Sequence, residues 1–249
     1  MNAPSLVIIG AGFGGLALGA ELRRRGHHDF VILERATDLG GVWRDNVYPG
    51  AACDVPSVLY CLSRDPRTDW SRRWAPQREI LGYMHDFARR EGLLPHLRTG
   101  VEVLSGRFDR ERAEWHLETR GGGTITARSV VSAVGQLGRP SVPDLPGLET
   151  FAGRRFHSAE WPAGVSLDGL RVGVIGSAAS AVQLVPEVAK VARELHVFQR
   201  SANHLVPRED RATTSAERGF LERHPRLARA RRRLGLAAYD VRHALIAGA

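Results

Sequence analysis

The sequence predicts an α/β fold built from two βαβ units, and three observations carry that prediction. An apolar, β-branched run from Ser5 to Ile9 leads through a glycine turn into a helical pattern from Leu16 to Arg25. The same order returns later, as a strand from Arg171 to Ile175, a turn from Gly176 to Ala181 and a helix from Val182 to Val191. Each copy then enters a second apolar strand, Phe30 to Leu33 in the first and Leu195 to Phe198 in the second. Short buried strands alternating with helices are the pattern of doubly wound parallel sheet.

Taken in order, the first helix closes at Gly26, a natural C′ residue. The stretch from Gly40 to about Pro76 is loop-like and carries Trp43, Tyr48, Tyr60, Trp70 and Trp74, and helical spacing resumes from Gln77 to Glu91. Val101 to Leu104, Trp115 to Glu118 and Thr124 to Ala127 read as antiparallel strands, with Gly121 to Gly123 as a turn, and Val130 to Val134 reads as a further buried strand. The proline-rich connector Pro140 to Pro146 marks a boundary. It divides the chain into a first domain, 1–140, and a partial second domain, 141–249, whose arginine-rich tail from Ser215 is helical in pattern. No strand follows that would complete the second sheet, so the second domain is expected to be incomplete. The tail is read as a solvated helix of that domain in preference to a membrane-lying one.

Composition narrows the classes. At 43% hydrophobic and 25% charged, the 249-residue chain is an ordinary globular protein. Its net charge of +8 comes almost wholly from arginine, Lys190 being the only lysine. That bias follows GC-rich codon usage, and with no RRM, helix-turn-helix or zinc-finger pattern it points to no nucleic-acid partner. Cys53 and Cys61 fit neither a zinc knuckle nor a CxxC pair. The apolar start, Leu6 to Ala20, holds five glycines and has its arginines after it, which is unlike a signal peptide. No run is long enough to span a membrane, and a cytoplasmic protein is expected.

Gly10-Ala11-Gly12-Phe13-Gly14-Gly15 satisfies the GxGxxG pattern. The first glycine permits the tight turn, the second lets backbone approach a pyrophosphate, and the third lets helix pack on strand. The helix start offers N–H groups and the positive dipole end to phosphates. Glu34, nineteen residues after Gly15, is placed to accept hydrogen bonds from ribose hydroxyls. The second turn, Gly176-Ser177-Ala178-Ala179-Ser180-Ala181, keeps only the first glycine, and the methyl of Ala178 stands where backbone should meet phosphate. Arg200 ends the following strand where an acid would repel a 2′-phosphate, so NADP is expected in preference to NAD. Both units are therefore read as Rossmann-like dinucleotide-binding domains.

Between the two turns lies Phe151-Ala-Gly153-Arg-Arg-Phe-His157-Ser-Ala-Glu-Trp161-Pro162. This FxGxxxHxxxWP stretch resembles the fingerprint of the Baeyer–Villiger flavin monooxygenases, and further matches run along nearly the whole chain. Gly40-Gly41-Val42-Trp43 resembles the family's loop beside the flavin. Tyr48-Pro49-Gly50-Ala51-Ala52-Cys53-Asp54 resembles the segment whose aspartate faces the nicotinamide, although Ala52 stands where the family often has arginine. Phe198-Gln199-Arg200-Ser201 resembles the 2′-phosphate grip, and Gln183 matches a glutamine that usually follows the second turn.

The resemblance implies FAD at Gly10, Gly12, Phe13, Gly14, Gly15, Glu34, Arg35, Gly41, Val42 and Trp43. It implies NADP(H) at Gly176, Ser177, Ala178, Ser180, Gln183, Arg200 and Ser201. Asp54 is expected beside the reacting ring, and His157 in a coupling role at the domain junction. The implied reaction has NADPH reduce the flavin, O2 form a C4a-peroxide, and the peroxide attack a ketone or other lipophilic substrate. Family members are considerably longer, so the chain is expected to be a fragment or a short relative lacking the segment that returns to the FAD domain. Two alternatives stay open at this point, an N/S-oxygenating flavin monooxygenase and a non-catalytic nucleotide-binding fragment. The pyridine nucleotide–disulfide reductases share the architecture, but Cys53 and Cys61 supply no redox pair near the flavin.

Overall fold

The computed structural model describes residues 4–247. The chain forms two compact units, Met1–Tyr48 with Ile80–Val165, and Pro49–Glu79 with Ser166–Ala249. The α/β fold expected from sequence is present, with a βαβ element in each unit.

In the first unit β1 (Leu6–Ile9), β2 (Phe30–Leu33), β3 (Leu97–Arg98) and β7 (Ser129–Ser132) make a parallel sheet in the order β3-β2-β1-β7. Helix α1 (Phe13–Arg24) connects β1 to β2. The central strands β1 and β2 read as continuous apolar runs because both faces are covered, and alternate residues serve opposite layers. Ile8 and Ile32 face α1, whose Gly15 and Gly19 allow the close approach: added Cβ atoms would stand 3.5 Å from Ile8 Cγ2 and 3.0 Å from Ile32 Cδ1. Val7, Val31 and Leu33 face the other way and form one cluster with Leu117 and Ala127. Those two belong to an antiparallel sheet, β4 (Val103–Asp109), β5 (Glu114–Thr119) and β6 (Thr124–Ala127). Helix α3 (Gln77–Arg90) buries Ile80, Tyr83, Met84, Phe87 and Ala88, a face spaced for helix. Its Tyr83 ring lies 6.1 Å from that of Phe13 at the start of α1.

The second unit is smaller in sheet. Strands β8 (Arg171–Ile175) and β9 (Glu194–Phe198) pair in parallel, joined by α4 (Ala179–Val188), which buries Leu184 and Val188. The segment from Pro49 is closed on itself by backbone hydrogen bonds, Cys53 N to Ala75 O at 3.0 Å and Gln77 N to Ala51 O at 2.9 Å. Residues 71–73 pair in turn with 211–213, through Arg73 N to Arg211 O at 2.9 Å and Thr213 N to Ser71 O at 2.8 Å. Buried Ser57 ties the same loop together, donating to Arg73 O at 2.9 Å and accepting from Ala75 N at 2.7 Å. Helices α5 (Ser215–Arg223) and α6 (Pro225–Ala247) follow.

The strand expected buried from Val130 to Val134 is β7, Ser129–Ser132, largely exposed because it stands at the sheet's edge with β1 as its one neighbour. Other boundaries differ for local reasons. Helix α1 begins at Phe13, so the last two glycines of the turn are already helical. Strand β4 begins at Val103 because Val101 N instead donates to Glu34 O, at 2.9 Å. Helix α4 takes in the small residues from Ala179. The tail is two helices, broken at His224 before Pro225, a residue that brings no N–H to a continuing helix.

Helix α5 starts in a capping box. Thr214 Oγ1 accepts from Glu217 N at 3.1 Å, and Glu217 Oε2 accepts from Thr214 N at 2.9 Å. Arg211 grips both oxygens of Glu217, at 2.9 and 2.6 Å. That guanidinium, with the Thr214 N–H, holds the Glu217 carboxyl down to about 2. Because the folded value lies below 4.5, the contribution of this group to stability is complete above pH 4.5 and is lost as pH falls toward 2. Amide exchange in the first turn of α5 should therefore quicken over that window. Glu217→Gln should already exchange fast at neutral pH and be flat through it; a sloping profile in the variant would remove the assignment.

Candidate functional site

The first glycine turn is shaped by a strand that becomes a helix within three residues. Gly10 takes φ 107°, a region that L side chains avoid, and a Cβ there would stand 2.5 Å from Ala133 O. Gly15 is constrained by space: its Cβ would stand 1.9 Å from Gly10 O. Gly12 is different. It caps α1 in ordinary extended backbone (φ −80°, ψ −171°), and a Cβ there would meet nothing within 4 Å. Nothing in the protein requires glycine at 12, whereas a ligand lying on the turn does. No side chain caps α1, and a helix N-terminus of this kind presents the positive end of its dipole.

Glu34 stands against this turn. Its carboxylate is buried and accepts from Ala11 N at 2.9 Å and Ala36 N at 3.0 Å, and Arg44 Nη1 lies 3.1 Å away. A carboxylate has about four acceptor sites, so these partners leave acceptor capacity over. Gly40 N donates to Ala11 O at 3.0 Å, bringing the Gly40–Trp43 loop onto the turn. Gly41, at φ 53°, places its Cα where an added Cβ would be 3.4 Å from Gly12 Cα. Val42 and Trp43 then begin the short helix α2 (Val42–Asp45). Arg35 is engaged elsewhere, donating to the Gly138 carbonyl.

Helix α2 packs beside a 3-10 turn, Ser158–Glu160, that belongs to the FxGxxxHxxxWP stretch. The stretch is folded by its own residues. Phe151 lies on Gly153, where a Cβ would be 2.5 Å from the ring. Phe156 and Trp161 meet edge to face at 5.1 Å. His157 Nδ1 accepts from Ala159 N at 3.1 Å, which in the neutral ring leaves the proton on Nε2.

In the second unit the second turn repeats the first almost angle for angle. Gly176 has φ 109° against 107° for Gly10, and Ala178 has φ −75°, ψ −175° against −80° and −171° for Gly12. Glycine survives only where positive φ demands it. Ser177 and Ser180 are half-buried in this turn, while Arg200 and Ser201 are exposed beyond β9. Arg200 makes no ion pair among the described residues. Gln183, on α4, bonds to Ala52 and Asp54.

Two residues escaped the sequence reading. Arg44 pairs with Glu34 and with Asp45, and donates to Asp38 O; nothing marked it beyond its place after the Gly-Gly loop. Asn203 donates to the carbonyl and, at 3.0 Å, to the hydroxyl of Ser177, tying the segment after β9 to the second turn.

A family model described as pyridine nucleotide-disulphide oxidoreductase matches residues 4–225. The chain belongs to this family. A Baeyer-Villiger monooxygenase of Streptomyces coelicolor is 48% identical over 229 residues, covering 92% of this chain and 44% of the relative. A solved steroid monooxygenase bound to NADP superposes with TM-score 0.84 at 37% identity, over 94% of this chain and 45% of that one. The structure of OTEMO in complex with FAD and NADP superposes with TM-score 0.83 at 32% identity, over 90% of this chain and 44% of that one. The chain thus spans under half the length of the relatives it matches, and the resemblance to Baeyer–Villiger monooxygenases stands. The disulphide step in the family's name has no support in these cysteines: both are free, and burial pushes the Cys53 thiol up to about 12. No helix among the described residues is long and apolar enough to cross a membrane.

The two kinds of glycine separate by experiment. Gly15→Ala should cost about 3 kcal/mol of stability through the clash with Gly10 O. Gly12→Ala should stay within about 0.5 kcal/mol of the parent in urea unfolding, yet weaken nucleotide binding about tenfold or more. Equal stability losses in the two variants would mean that Gly12 is structural.

Proposed function

We propose that this chain carries the FAD- and NADP-binding portion of a monooxygenase that inserts one oxygen of O2 into a ketone. The observation that supports it best is the open space over Gly12 beside the uncapped start of α1. The residues fit FAD: Gly10, Gly12, Phe13, Gly14 and Gly15 form the pyrophosphate cradle, and Glu34 takes the ribose. Arg35, Gly41, Val42 and Trp43 flank them. The domain assigned to FAD is 1–140, and that assigned to NADP is 141–249. Gly176, Ser177, Ala178 and Ser180 receive the second pyrophosphate, and Arg200 with Ser201 receives the 2′-phosphate. The names of the relatives, two of them described with NADP bound and one also with FAD, support the same assignment.

FAD, when bound, supplies the redox and oxygen chemistry. The chain's own part is to bind and orient. The backbone N–H groups of both turns neutralise phosphates without a side chain. Arg200 adds a charge-assisted grip that an acid at its position would oppose. Asp54 presents a carboxylate on the nicotinamide side, and His157 fixes the turn beside α2, coupling nucleotide binding to the rest of the molecule.

The test is flavin content from the visible spectrum of the purified chain, followed by bleaching with NADPH and with NADH. Stoichiometric flavin, bleached by NADPH in preference, is expected. Arg200→Ala should weaken the NADPH response about tenfold, on the order of one charge-assisted hydrogen bond, while sparing NADH. Equal losses for both would remove the 2′-phosphate role. Products from a ketone and a thioether then separate Baeyer–Villiger from sulfur oxidation.

A further inference from the structure

Gln183 stands one helical turn into α4, the helix that opens at the second nucleotide turn. Its side chain does not point its donors at that turn. Nε2 donates one hydrogen to Ala52 O at 3.0 Å and the other to Asp54 Oδ1, while Oε1 accepts from Ala52 N at 3.2 Å. An amide nitrogen has two hydrogens, and both are committed within the 52–54 segment.

The backbone of the same residue supports that segment too. Gly50, at φ +82°, lies so close to Gln183 O that a Cβ would stand 2.5 Å from it and 3.0 Å from Glu187 Cγ. On its other side the segment is pinned by Cys53 N to Ala75 O and Gln77 N to Ala51 O, and by the bridge between Ala52 and Pro76. Asp54 itself is exposed. It is therefore an open carboxylate at the end of a loop whose position is set by α4.

We infer that Gln183 is a positioning residue, holding Asp54 and the 50–54 loop in register with the helix that carries the second nucleotide turn. The effect on nicotinamide chemistry runs through Asp54 and not through a contact of Gln183 with phosphate. It rests on the placing of Asp54 at the nicotinamide in the function proposed above. Small displacements of a reacting geometry cost large factors in rate, so a helix that seats both the dinucleotide and Asp54 has a direct use for such a clamp.

The experiment uses the 249-residue chain with Gln183→Leu, Asp54→Ala and the double variant. Hydrogen exchange without any nucleotide comes first. Gln183→Leu should quicken exchange at Ala52 and its neighbours on the order of tenfold, the worth of one hydrogen bond, with α4 from Leu184 onward unchanged. Unchanged exchange at 50–54 overturns the inference whatever the protein binds. The second arm measures NADP+ affinity and the rate of flavin bleaching at saturating NADPH. Positioning requires Gln183→Leu to lose rate about tenfold with affinity little changed. The double variant should be no slower than Asp54→Ala alone. A loss confined to affinity, or losses that multiply in the double variant, would make Gln183 a nucleotide ligand and overturn the inference. Loosened exchange without flavin or NADP+ binding in any form would sink the functional reading and leave the clamp standing as structure.

Discussion

A strand that hands over to a helix within three residues has to pass through backbone that side chains avoid, and both units of this protein are organised around that passage. Gly10 and Gly176 sit at φ 107° and 109°. Once the chain has turned there, the helix start is fixed above the sheet's carboxyl edge, and everything else in each site is placed relative to it. In the first unit Ala11, buried in the turn, donates its N–H to Glu34, and its carbonyl accepts from Gly40. The end of β2 and the Gly-Gly loop are thereby bound to the same three residues. A ligand meeting the turn meets a surface in which backbone groups are already aimed, so little ordering is left to be done on binding.

The two turns also show which glycines answer to backbone and which to contents. Position 176 needs glycine for φ; position 178, in extended backbone, tolerates alanine. Position 15 in the first turn has no room for a methyl, because Gly10 O would lie 1.9 Å from it. Ala181 occupies the corresponding place in the second. Strands β8 and β9 are half-buried or exposed along their length. Asn203 and Gln183 supply from side chains what close packing supplies in the first unit, one holding the segment after β9 and the other the 50–54 loop.

Much of this was legible in the sequence. Both βαβ elements, the antiparallel strands, α3 and the two turns follow from periodicity and glycine spacing, which report local backbone demands. What escaped depends on contacts distant along the chain. Strand β3 is two residues long and has no pattern of its own; it exists because Glu34 N donates to Arg98 O at 2.9 Å. The association of 49–79 with the second unit is made by main-chain bonds to 211–213 and by the Gln183 side chain, and neither leaves a hydrophobic period. Arg44 is one arginine among many until the fold sets it against Glu34.

The residue after the second strand differs between the units in a way that burial explains. Glu34 is 5% exposed and already carries two N–H donors and a guanidinium. In the proposed assignment its remaining acceptor capacity goes to a ribose hydroxyl. Arg200 is exposed and without an ion-pair partner among the described residues. In the proposed assignment it does the opposite work: an exposed guanidinium offers its donors to whatever anion arrives, and its contribution weakens with salt as an exposed charge must. In that assignment one backbone scaffold serves two nucleotides because the strand ends differ, the first a buried acceptor and the second an exposed donor.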